Sequence, residues 1–179
     1  MRALQIFFVA ILLGCISLQA DAVSDRAHAL KLVDVDGNAL STADGHITVL
    51  VQTTKADLAK AQTVGERVPD YCLGNPNYRM ITVVEFENQI SPVRSVFTAM
   101  MRSRLDSEAK YLQARYNANK IEKDARRDMF AVADFDGAAV AQLESDPAAF
   151  RVFVFGGNGE LLKQWNDVPS AAELTAVLK

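Results

Sequence analysis

Few side chains in this chain of 179 residues have the types and spacing that chemistry requires. The cysteines are Cys15 and Cys72, and the histidines are His28 and His46. These residues are too few and too scattered for a zinc cluster or an iron–sulfur site. A calcium loop at residues 34–37 is also excluded, because its glycine comes too early and no closing glutamate follows. The sequence therefore predicts no metal and no cofactor.

Carboxylates are the next candidates for chemistry. Asp134, Asp136 and Asp146 form a loose acidic group, but acidic residues around predicted turns are typical of turn formation. No acid–base pair converges, and no glycine-rich phosphate loop is present. The net charge of −3 and the pI of about 5.4 give no basic excess for nucleic acid. We therefore predict no catalytic residue and no nucleic-acid partner.

The first residues have the pattern of an export signal. A positive start is followed by an apolar run from Leu4 to Leu13, and Ala20-Asp21-Ala22 is a small-x-small cleavage site. We expect a signal peptide at 1–22 and a single domain at 23–179, which is periplasmic or secreted. A weaker site at residues 18–20 would place the new N-terminus at Asp21. The apolar run is about half of the ~20 residues that span a bilayer, so no transmembrane segment is expected in the mature chain.

A lipoprotein signal is the alternative for this segment. Leu12-Leu13-Gly14-Cys15 resembles a lipobox, in which the cysteine is acylated and becomes the first residue of the mature protein. Ile16 is apolar where a polar residue is usual, and the preceding segment is short. In the favoured interpretation Cys15 is an apolar residue of the leader, and Cys72 is then the single thiol of the exported chain.

Strands alternate with helices along the rest of the chain, which indicates a central sheet covered on both faces. A long helical pattern begins at Ser91-Pro92 and extends to about Asp124. The predicted order is a strand at 30–35, a strand at 47–51, a helix from Thr54 to Pro69, a strand at 80–86, the long helix, a strand at 129–133, a short helix at 138–143, paired strands at 150–155 and 160–165, and a helix at 170–178.

The end of this order is the most specific part. Asn158-Gly159 predicts a hairpin turn with positive φ, and Ser170 with Glu173 forms a capping box that opens the last helix. With the β-α-β opening, this layout resembles the thioredoxin-like superfamily, in its redoxin and peroxiredoxin branch. The resemblance covers most of residues 30–179. It implies an α/β fold, a three-layer α/β/α sandwich with a mixed central sheet and an extended crossover helix.

The resemblance places a catalytic cysteine where this chain has none. In that superfamily the attacking thiol sits after the first core strand, where the helix N-terminus lowers its pKa. The corresponding residues here are Thr54, Lys55, Ala56 and Asp57. Neither a CxxC pair nor the peroxiredoxin Thr-x-x-Cys is present, and Asp57 stands at the position of the cysteine.

The second hallmark of the superfamily, a cis-proline before the strand that enters the hairpin, is also missing. The resemblance aligns Phe150 or Arg151 with that position, while Pro147 lies a few residues too early. We therefore predict an exported protein without dithiol redox chemistry, with a binding or scaffolding role in the bacterial envelope. One alternative is a thiol protein that uses Cys72 alone, although the helix would carry it roughly 20 Å from the superfamily's active-site end. The other is the lipid-anchored component described above.

The long helix carries an apolar stripe that extends beyond the expected edge of the sheet. Leu112 and Tyr116 continue the spacing of Met101 and Leu105. An apolar stripe beyond the sheet predicts a contact, either with the N-terminal strand of the same chain or with a protein partner such as a second copy. The alternative is a break near residues 117–119, after which the chain folds back. In that case no overhang remains.

Overall fold

The computed structural model describes residues 29–86 and 91–179. The predicted signal peptide and Cys15 lie outside these residues. Among the described residues, no helix is both long enough and apolar enough to cross a membrane.

A five-stranded mixed sheet forms the centre of the molecule. Its order is β5-β4-β3-β6-β7, in which β3, β4 and β5 are parallel and the last two strands are antiparallel to their neighbours. A separate hairpin, β1 with β2, precedes it. The strands are β1 (Lys31–Val33), β2 (Ala39–Ser41), β3 (Ile47–Thr54), β4 (Tyr78–Glu85), β5 (Met129–Asp134), β6 (Arg151–Phe155) and β7 (Leu161–Trp165). The helices are α1 (Leu58–Arg67), α2 (Ser91–Ala118), α3 (Ala138–Gln142) and α4 (Ala171–Leu178).

Alternating side chains of the strands build one core on each face of the sheet. Val49 and Val51 of β3 pack with α1 and α4 on one face. The neighbouring Leu50 packs with α3 and the β1–β2 hairpin on the other face. Helix α2 covers β5 through Leu105 and Ala131, and the pairing of β5 with β4 and β3 puts it on the same face as α1. The predicted three-layer α/β/α sandwich with a mixed sheet is therefore confirmed.

The long helix ends earlier than the sequence pattern predicts. Helix α2 stops at Ala118 instead of about Asp124. Lys120 has a left-handed φ of 57°, and the backbone amide of Ile121 donates to the carbonyl of Tyr116 at 2.9 Å. This is the pattern of a helix C-terminus whose last carbonyls are satisfied by the returning chain. The chain thus folds back near residues 117–120, as the alternative interpretation expected.

Tyr116 is covered by its own chain. Its side chain is buried, and its hydroxyl lies between the backbone amide of Gly74 and the carboxylate of Asp128. Tyr116 therefore has no exposed surface to offer a partner, and a partner contact through Leu112 stays a prediction. Leu112 remains half-buried.

Two glycine turns meet at the hairpin end of the sheet. The amide of Gly45, in the turn before β3, donates to the carbonyl of Gly157 at 2.9 Å. A β-carbon on Gly157 would lie 2.8 Å from the carbonyl oxygen of Gly45, which is too close for any other residue. Gly159 has the expected positive φ of 84° but Asn158 does not. A type I turn followed by a left-handed bulge residue therefore replaces a doubly left-handed turn.

Candidate functional site

The two segments singled out in the sequence come together at one edge of the sheet. Strand β3 ends at Thr54, whose hydroxyl accepts from the amide of Ala56 at 3.3 Å and caps the short helical turn that leads into α1. Strand β6 begins at Arg151, which pairs with Gln52 of β3. Lys60 links the two segments, since its Nζ lies 3.4 Å from Asp57 Oδ1 and 5.3 Å from the centre of the Phe150 ring.

The loop before β6 is tied to the sheet by two polar side chains that the sequence analysis did not single out. Gln52 is fully buried, and its Nε2 donates to Glu85 Oε1 at 2.7 Å and to the carbonyl of Asp146 at 2.9 Å. The second carboxylate oxygen of Glu85 accepts from the amide of Ala148 at 2.8 Å. Ala148 has a φ of 59°, a strained value for alanine that these bonds help to hold. The sequence signal that could have identified Gln52 is its position directly after the predicted strand at 47–51.

An aromatic cluster with two cations lies beside this loop. The ring of Phe86 is 4.8 Å from that of Phe97 and 5.0 Å from that of Phe135, measured between centres. Lys55 Nζ lies 5.4 Å from the Phe97 ring, and the Arg94 guanidinium lies 5.4 Å from the Phe135 ring. Cations at this distance over partly exposed rings are stabilised by roughly 0.5–1 kcal/mol each. The edge therefore offers a half-exposed apolar surface bordered by positive charge.

Cys72 lies away from this edge. It follows α1 in a short helical turn and is only 6% exposed among the side chains under α1 and α4. Burial raises the pKa of the Cys72 thiol to about 11. Only the thiolate is nucleophilic, so this thiol is almost entirely in its unreactive form at neutral pH.

Asp34 and Asp134 serve a turn and a helix cap. Asp34 accepts from the amides of Asp36 and Asn38 and thereby closes the turn between β1 and β2. Asp134 accepts from the amides of Ala139 and Val140 and caps α3. Among the described residues, no group of three or more histidine, cysteine, aspartate or glutamate side chains is placed to hold a metal ion.

Solved structures with this arrangement are distant in sequence. Etrx1, an exposed lipoprotein thioredoxin of Streptococcus pneumoniae, is 14% identical with a TM-score of 0.53, and the match covers 84% of this chain and 97% of that one. A thioredoxin-family thiol:disulfide interchange protein of Chlorobium tepidum is 12% identical with a TM-score of 0.52, over 89% and 100% of the two chains. DsbF of Mycobacterium tuberculosis is 15% identical with a TM-score of 0.52, over 85% and 94%.

The fold is thioredoxin-like. No protein-family model matches the sequence, and no curated protein matches it. The sequence contains no CxxC pair. Residues 54–57, which the resemblance aligned with the attacking cysteine, lie in the short helical turn that leads into α1. Phe150 and Arg151, which the resemblance aligned with the superfamily's cis-proline, lie at the start of β6, and every described peptide bond is trans.

Proposed function

We propose that this chain is an exported protein that uses the thioredoxin-like fold for binding and not for dithiol redox chemistry. The observation that carries the proposal is the residue found at the start of α1. Asp57 stands there in place of a thiol and forms an ion pair with Lys60. Disulfide exchange needs a thiolate at this point, because the helix N-terminus is what stabilises its charge.

The buried thiol of Cys72 does not replace the missing one. It lies beyond the C-terminal end of α1, whose ten residues span about 15 Å. A helix C-terminus carries partial negative charge, so it does not favour a thiolate. Together with the raised pKa of Cys72, this placement supports a packing role and argues against the single-cysteine alternative.

The binding role is supported by the surface beside the sheet edge. The rings of Phe86, Phe97 and Phe135 are partly exposed, and Val96 and Met100 on the adjacent face of α2 are 60% and 53% exposed. Apolar side chains grouped in this way on a protein surface are typical of a protein–protein contact. Lys55 over the Phe97 ring favours a partner with an acidic segment.

Export is supported by the leader pattern of residues 1–22 and by the pneumococcal Etrx1, which is itself an exposed lipoprotein. The mass of the protein recovered from the cell envelope tests this part. We expect an N-terminus at Val23, or at Asp21 if the weaker site is used. An acylated N-terminal Cys15 would instead show lipid anchoring, and an intact Met1 would contradict export.

Insulin reduction tests the absence of dithiol chemistry. With dithiothreitol as the reductant, the purified protein should not accelerate insulin precipitation above the rate without protein. An active thioredoxin serves as the positive control and Cys72→Ser as the matched variant. Clear turnover that disappears in Cys72→Ser would contradict the proposal and establish the single-cysteine alternative.

A further inference from the structure

A cavity of about 390 Å³ lies between α1, α2 and the sheet. Alternate residues of β4, namely Met80, Thr82 and Val84, form its floor, about 13 Å from the first to the last. One wall is α1, with Ala61 and Gly65, and the opposite wall is α2, with Leu105 and Leu112. The cavity is separate from the aromatic cluster that supports the proposed function. Only Phe86 belongs to both, and it lies at the end of the cavity next to Val84.

The far end of the cavity is closed by contacts that fix the spacing of the two helices. The Arg115 guanidinium donates to the carbonyls of Gly65 and Val68, both at 3.0 Å, and to Asp70 Oδ1 at 2.6 Å. These bonds join α2 to the C-terminal end of α1. Tyr116 and Cys72 fill the space beneath them. The gap between the helices is therefore fixed by specific bonds.

The walls of the cavity are apolar and adaptable. Met80, Met101 and Met129 all line it, and methionine side chains adjust to ligands of different shapes. The Thr82 hydroxyl lies among these apolar side chains on the floor. An apolar cavity of about 150 Å³ is already large enough to hold benzene, so this cavity has room for a considerably larger apolar molecule.

The polar side chains at the rim are engaged with one another. Arg104 Nε bonds the carboxylate of Glu108, and Gln62 Nε2 donates to Glu66 at 3.0 Å. Arg115 is occupied as described above. Because each of these cations is already matched by a carboxylate, the rim offers no excess positive charge for an anionic head group. The charge pattern therefore favours a neutral ligand over a fatty acid.

We propose that this cavity binds a neutral, flexible, apolar small molecule of the class of medium-chain aliphatic alcohols. The length of the floor fits an extended aliphatic chain, and the Thr82 hydroxyl offers one hydrogen bond to a single polar group. This site goes beyond the proposed function, because it involves neither export nor residues 54–57 and shares only Phe86 with the aromatic cluster.

Binding of the neutral fluorophore N-phenyl-1-naphthylamine to the purified full-length gene product tests the site. We expect saturable fluorescence enhancement, competition by decanol, and competition by decanoate at least about tenfold weaker. Gly65→Leu should weaken fluorophore binding about tenfold or more, because the added side chain enters the cavity beside Met80. Gly65→Ala is the matched control, since its β-carbon would lie 3.5 Å from the Met80 sulfur, an ordinary contact.

A second variant keeps the test valid if Gly65→Leu fails to fold. Leu112→Trp fills the cavity from a half-exposed position of α2, and its melting curve reports folding separately. Unchanged fluorophore affinity in the folded filling variants would overturn the proposal, as would stronger competition by decanoate. An absence of saturable fluorophore binding to the folded wild-type protein would also overturn it. Insulin reduction tests the proposed function in a separate assay. The cavity proposal and the proposed function can therefore fail independently of each other.

Discussion

Tyr116 closes the C-terminal end of α2 by using both hydrogen-bonding functions of its hydroxyl. The oxygen accepts from the amide of Gly74 at 3.0 Å, and the hydroxyl donates to Asp128 Oδ2 at 2.6 Å. Burial, together with the Asp128 carboxylate, raises the pKa of Tyr116 well above its ordinary value. The neutral phenol is therefore the form that holds three segments of the chain together.

Removing this hydroxyl should destabilise the protein. In Tyr116→Phe the Gly74 amide loses its acceptor and the Asp128 carboxylate loses one of its donors, so we expect the free energy of unfolding to fall by about 1–3 kcal/mol. Urea unfolding measures this change. Tyr111→Phe is the matched control, because Tyr111 is 74% exposed and should change stability by less than about 0.5 kcal/mol. Equal midpoints for the two variants would contradict the role given to Tyr116.

Residue-scale contacts of this kind were the hardest to predict from the sequence. The absence of thiols from residues 54–57 could be read directly. Gln52 and Glu85, in contrast, are 33 positions apart and meet only because β3 and β4 pair in parallel. Their bonds to the loop at 146–148 depend in turn on the path of that loop. Pairing across the sheet therefore created the network, and no local pattern contained it.

At the scale of elements, the terminal helix shows how local signals fix a boundary. The Ser170 hydroxyl accepts from the amide of Glu173 at 3.2 Å, and the Glu173 carboxylate accepts from the amide of Ser170 at 2.7 Å. This is the capping box that the sequence predicted. The helix then buries Leu174 and Leu178 against the sheet.

Ser170→Ala should lower the free energy of unfolding by about 1 kcal/mol, because an N-terminal amide of α4 loses its acceptor. Thermal melts and urea unfolding both report the change. Ser95→Ala makes the same atomic substitution on the exposed face inside α2, where alanine is the better helix former and stability should not fall. A loss of stability in Ser95→Ala as large as in Ser170→Ala would refute the capping explanation.

The boundaries that the sequence misplaced depend on tertiary contacts. The periodic pattern of α2 continues past Ala118, yet the helix ends there because Tyr116 is anchored to Gly74 and Asp128. Strand β2 is only three residues long and was not predicted. It forms because the turn closed by Asp34 brings Leu40 opposite Leu32, where both can be buried.

At the scale of the whole molecule, an ion pair between the buried Arg79 and the exposed Asp44 joins the loop before β3 to the sheet. The Arg79 side chain is 5% exposed, and its guanidinium contacts Asp44 Oδ2 at 2.9 Å and the carbonyl of Ser41 at 2.6 Å. Burial acts to raise the pKa of Asp44, but hydrogen bonds from Arg79 and His46 outweigh it and lower the pKa to about 2. The unfolded chain would have a pKa of about 3.9 for this group.

This difference predicts part of the acid sensitivity of the protein. Because the folded-state pKa is the lower one, the stabilisation from Asp44 is complete above about pH 4 and is lost as the pH falls towards about 2. Asp44→Asn should be less stable than wild type at pH 7, since Arg79 is left without its counter-charge. The difference in unfolding free energy should shrink between about pH 4 and pH 2.

Urea titrations at several pH values measure this difference. Glu122→Gln removes an exposed carboxylate and serves as the control, for which we expect a small difference at every pH. A gap between wild type and Asp44→Asn that stays constant down to about pH 2 would show that the Arg79 pair does not carry the effect.

Topology was the most predictable property at this scale. The alternation of strands and helices, the glycine-rich hairpin and the capped last helix together specified a thioredoxin-like layout. The space between α1 and α2 was not predictable, because it depends on the spacing that the bonds from Arg115 to the end of α1 set between the two helices. A cavity is a property of distances between elements, and periodicity within one element contains no such distance.

The contact between the two glycine turns restricts how this sequence can change over evolutionary time. Gly157 is required by space, since any side chain there would strike the backbone of Gly45. Gly37, in contrast, is required by its backbone angle alone, with φ of 91° and open surroundings, so asparagine is an acceptable replacement. The turns at 45 and 157 must therefore diverge together, and an insertion in one would demand a matching change in the other.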